Sequence, residues 1–83
     1  MRVVYTKPDI PGALDNQQFV EDYCVARASG VKRDMEMVMY RYFGTISSDD
    51  EYRLTCALDR EENVRKRVYE LYQASKPAPK PSI

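Results

Sequence analysis

The chain contains no histidine. That absence removes the side chain that most often acts as a general base near neutral pH, and with it the commonest metal ligand. No imidazole is present to activate a cysteine or serine nucleophile. Cysteine is itself scarce: Cys24 and Cys56 offer two thiolates, short of a full structural zinc site. They lack the density of a secreted disulfide scaffold and read as reduced, small buried hydrophobes. With three glycines in 83 residues, there is no glycine-rich phosphate loop.

Neither sign of charge prevails. Thirteen basic and 13 acidic residues give a net charge of zero, so the cationic surplus of a general nucleic-acid binder is missing. Long apolar runs are missing too: none approaches the roughly 18 residues of a membrane span. The opening "MRVVYTKPDIPG" passes from a short apolar patch into prolines, unlike a secretory signal. The paired carboxylates of "SDDE" and "DREEN" read as helix-start acids set against the helix dipole, rather than as an acid–base pair. The expectation is a cytoplasmic, non-enzymatic protein with no cofactor and no metal.

What is present is helical punctuation. In "LDNQQFVEDYCVARASG", Asp15 is placed to cap the first turn and Gln18 to complete a capping box, with Leu14 and Phe19 at staple spacing. Phe19, Val20, Tyr23, Cys24 and Ala26 form an inward stripe, and Gly30 is a stop. A second helix fits residues 31–43, ending at Gly44. A strand over "VMYRYFGTI", paired with "RVVYT" in an α+β domain, is the competing reading, but Met and Glu favour the helix. Ser48 and Glu51 fit a further capping box, and the helix they open is expected to run to about residue 74. The alternate prolines of "SKPAPKPSI" cannot continue it.

The predicted fold is therefore all-α: a small bundle of three principal helices, about 16–29, 31–43 and 48–74, with an extended N-terminal arm and a disordered Pro-rich tail. Residues 1–75 form one helical domain and 76–83 a flexible tail. A chain this short buries only roughly 60% of the surface its unfolded form exposes, so oligomerisation or a partner is a common remedy.

The densest apolar stretch, "MEMVMYRYFG", carries the functional reading. On a helix turning about 100° per residue, Val31, Met35, Val38, Met39, Tyr42 and Phe43 share a core face. Met37 and Tyr40 fall on the opposite side, near Arg33 and Arg41. Met and Tyr both suit contact surfaces. In the last helix Glu61 and Arg65 interrupt an apolar stripe. Either the helix breaks near Asp59, where Asp59 and Glu62 would make a new capping box, or it continues and its charged middle leaves the core. The continuous helix is the preferred reading, since burying the pair would carry a heavy desolvation cost.

Arg33, Met37, Tyr40, Arg41, Glu61 and Arg65 are thus the expected protein interface, serving an adaptor or inhibitor that pairs as a homodimer, with Tyr52, Tyr69 or the N-terminal arm assisting. The alternative is a helix-turn-helix-like DNA-binding regulator. There "CVARASGVKRD" supplies the turn, and Lys32 and Arg33 reach DNA from the second helix. The basic run "VRKRV" reads as the solvated side of an amphipathic helix.

Overall fold

The computed structural model describes residues 4–75. The fold is all-α, with no strand among the described residues. Among the described residues, five helices replace the expected three: α1 (Ile10–Asp15), α2 (Gln17–Ser29), α3 (Lys32–Phe43), α4 (Ser48–Arg60) and α5 (Glu62–Ser75). The expected Pro-rich tail, 76–83, lies outside the described residues.

The additional helix at the N-terminal side carries a proline in its first turn. Pro11 occupies the first turn of α1, where its missing amide has no helical partner to lose and its fixed φ already suits a helix. Part of the expected extended N-terminal arm therefore coils into a helix before the chain reaches α2. Before α1 the chain is extended, and it touches the α3–α4 connection through one short bond, Thr6 N–H to the Thr45 carbonyl at 2.7 Å.

Two caps fall one residue from their expected places. Asn16, not Asp15, accepts the Phe19 amide at 3.2 Å. Ser47, not Ser48, accepts the Asp50 amide at 3.2 Å. Both stops hold: Gly30 and Gly44 have φ of 74° and 75°, a region that costs any residue with a Cβ.

Around α2 the core assembles. Phe19, Tyr23 and Cys24 are fully buried there, against Met39 of α3, Leu54 and Leu58 of α4 and Val64 of α5. Phe19 meets Tyr42 and Phe43 edge-on, with ring centroids 5.2 and 5.0 Å away, the geometry that aromatic quadrupoles favour. Each large side chain so buried contributes about 1.5–3 kcal/mol. Met35, Val38, Tyr42 and Phe43 take the half-buried face expected of α3. Val31 does not: it is the N-terminal cap of α3 and stays 49% exposed.

The expected continuous last helix is corrected. It breaks at Glu61, which ends α4 and begins α5 with φ −74° and ψ 125°. Contacts from α2 hold the bend, with Tyr23 and Arg27 gripping Asp59 just before it. Leu54 and Leu58 face the core from α4, while Val64, Val68 and Leu71 do so from α5. On one straight helix these positions would share a stripe with Glu61 and Arg65 at its middle. One extended residue bends the chain there, and Glu61 and Arg65 are exposed. The Asp59–Glu62 capping box does not form either, because Asp59 is still inside α4.

Candidate functional site

The expected interface residues divide between two places. Arg33, Met37, Tyr40 and Arg41 are all exposed on the outer side of α3. Met37 and Tyr40 are 55% and 63% exposed, so the helical spacing located the apolar surplus. Met37 lines a shallow groove of about 280 Å³ between α2 and α3, with Asp22, Val25, Asp34 and Arg41 around it. Val25 is itself 51% exposed and extends the apolar strip onto α2. Its contribution was not legible, because the stripe on α2 was read only for its inward side. Tyr40 opens onto the other flank of α3, near Glu36, Ile46 and Glu51. Lys32 and Arg33, the alternative DNA contacts, are exposed on the first turn of α3 beside Asp34.

Glu61 and Arg65 lie at the α4–α5 break and line neither of these recesses. Arg65 Nη1 donates to the Asp59 and Arg60 carbonyls at 3.2 and 3.0 Å, satisfying groups that the end of α4 leaves open. It also borders a second groove, of about 400 Å³, with Arg27, Asp59, Val68, Tyr69 and Tyr72.

Asp59 organises this second place. One of its oxygens accepts the Tyr23 hydroxyl at 2.9 Å, and the other pairs with Arg27 at 3.6 Å. Burial first, and then the Asp59 carboxylate, hold the Tyr23 phenol well above its ordinary pKa. On the far side of α2, Arg67 of α5 pairs with Glu21 at 2.7 Å. That hydrogen bond holds the Glu21 carboxyl below its usual range and raises the Arg67 guanidinium further. The Tyr42 hydroxyl donates to Asp22, which lifts the phenol.

Both cysteines are free thiols, Cys24 buried and Cys56 half-buried. Burial pushes the Cys24 thiol up to about 11, which leaves it protonated and inert at neutral pH. Among the described residues, no three acidic or cysteine side chains converge as a metal site would require. No helix among them is long and apolar enough to cross a membrane. No protein-family model matches the chain, and neither a curated protein nor a solved structure matches it.

Proposed function

We propose that the protein is a small non-enzymatic adaptor or inhibitor that acts by occupying another protein's surface, and that it works as a homodimer paired through the outer face of α3. The observation that carries this reading is the exposure of Met37 and Tyr40, at 55% and 63%, three residues apart on one helix. Charge supports pairing with a second copy. In an antiparallel two-fold contact whose axis falls between Met37 and Val38, Arg41 of one copy faces the partner's Asp34, and the pair repeats by symmetry. Free thiols at Cys24 and Cys56 suit a cytoplasmic setting.

Burial of Met37 and Tyr40 contributes about 1.5–3 kcal/mol for each side chain. Association costs offset much of that, so the dimer is expected to be moderate in strength. Replacing Met37→Lys together with Tyr40→Glu should give a folded monomer by equilibrium sedimentation and circular dichroism. An unfolded double variant would place both side chains in the core. A wild type that stays monomeric at high concentration would remove the α3 homodimer.

A second reading, DNA binding through α2 and α3, is favoured by one observation: Lys32 and Arg33 are exposed just after the Gly30 turn. Against it stand Asp34 and Glu36 on the same helix, and the net charge of zero. It requires tight binding to one duplex sequence at physiological salt, lost on Lys32→Ala with Arg33→Ala.

A further inference from the structure

We infer that the single-residue bend at Glu61 is a hinge through which α5 exchanges between two copies of this chain, each copy's α5 packing on the other's α2 when α4 and α5 straighten into one helix. This contact is separate from the α3 face and does not depend on it.

The bend has no local cause. Residues 45–75 contain neither glycine nor proline, and Glu61 is the only non-helical residue between Ser48 and Ser75. What bends the chain is tertiary. Tyr23 and Arg27 hold the side chain of Asp59, Arg65 covers the Asp59 and Arg60 carbonyls, and Val64 is buried against α2.

The straight form satisfies the same groups in another way. The amides of Glu62, Asn63 and Val64 then bond the carbonyls of Leu58, Asp59 and Arg60. Arg65, released from those carbonyls, stands one turn after Glu61 in the favourable acid-then-base order. Straightening carries Val64, Val68 and Leu71 away from their own α2, and an apolar face of that kind must be covered again. A second copy supplies an identical α2 surface, including the Glu21 that Arg67 needs. A short hinge held bent by tertiary contacts is a common route to such exchange.

The test uses the full chain, refolded from denaturant at high and at low concentration, with sedimentation as the readout. Wild type should yield a dimer after concentrated refolding that persists on dilution. Glu62→Pro fixes the bend. Position 62 opens α5, where proline is preferred, and the extended Glu61 before it already has the conformation proline demands. In a straight helix the same proline would be interior, so the exchanged dimer should weaken about a hundredfold or more.

A mixing experiment identifies the exchanged element. Glu21→Arg and Arg67→Glu chains each oppose like charges across α2 and α5. When the two are refolded together, exchange restores an opposite-charge pair in both halves, so mixed dimers should exceed the share that random pairing gives. Wild type that remains monomeric after concentrated refolding overturns the inference. Random pairing in the mixture overturns it as well, even if Glu62→Pro fails to fold. A dimer abolished by Met37→Lys with Tyr40→Glu, yet unchanged by Glu62→Pro, belongs to the α3 face. That result would overturn the hinge and leave the earlier proposal standing.

Discussion

The Tyr23 hydroxyl donates to Asp59 at 2.9 Å, across 36 positions of sequence. This bond ties the middle of α2 to the last turn of α4, one residue pair before the chain bends. The phenol ring is fully buried, so its single polar atom is held by a carboxylate that solvent still reaches.

Tyr23→Phe is therefore expected to fold but to lose about 1–2 kcal/mol, the range for a hydrogen bond to a charged group left partly wet. The pH dependence follows from the raised pKa of Tyr23. Its contribution is intact below the unfolded phenol's value near 10 and is lost as pH rises above it. Urea titrations of wild type should show stability falling above about pH 10, with a shallower fall in Tyr23→Phe. Equal slopes in the two proteins would detach Tyr23 from the alkaline transition.

The caps give a second test. Asn16→Ala and Ser47→Ala should each cost about 1 kcal/mol by thermal or urea unfolding. Asp15→Ala and Ser48→Ala, one residue away in each case, should cost clearly less. If the order is reversed at either helix, the cap assignment at that helix is wrong.

These neighbours show where the sequence was legible and where it was not. Asp15 beside Asn16 and Ser48 beside Ser47 are all competent caps, so composition located both helix starts but could not choose between adjacent residues. Gly30 and Gly44 marked both ends around α3 because the required φ leaves few alternatives. Pro11 lies in a stretch expected to be an extended arm, although a proline in the first turn is equally a helix start. Val31 fitted the core periodicity of α3 but lies at its cap, before the helical geometry begins.

The bend at Glu61 was the hardest feature to read. Its signal was present, as Glu61 and Arg65 interrupting an apolar stripe, but no local breaker chose between a bend and a charged, outward-facing middle. Contacts from α2 decide it, through Tyr23, Arg27 and the packing of Val64. For the candidate interface, spacing along α3 was enough to expose Met37 and Tyr40. The groove around Asp59 needed Arg27 and Tyr72 brought together from α2 and α5, a pairing that periodicity along one helix does not contain.

The placement of α2 between α3 and α5 also sets an order of assembly. Its contacts with α3 close across the short Gly30 turn, whereas its ion pair with α5 joins Glu21 to Arg67, 46 positions apart. Local closures form early and cheaply, and distant ones must first restrict a long loop. The α2–α3 hairpin is thus expected to form first, with α5 docking last and leaving first. Native-state hydrogen exchange should find α5 amides opening at lower free energy than those of α2. Equal protection in the two helices would mean that the chain opens only as a whole.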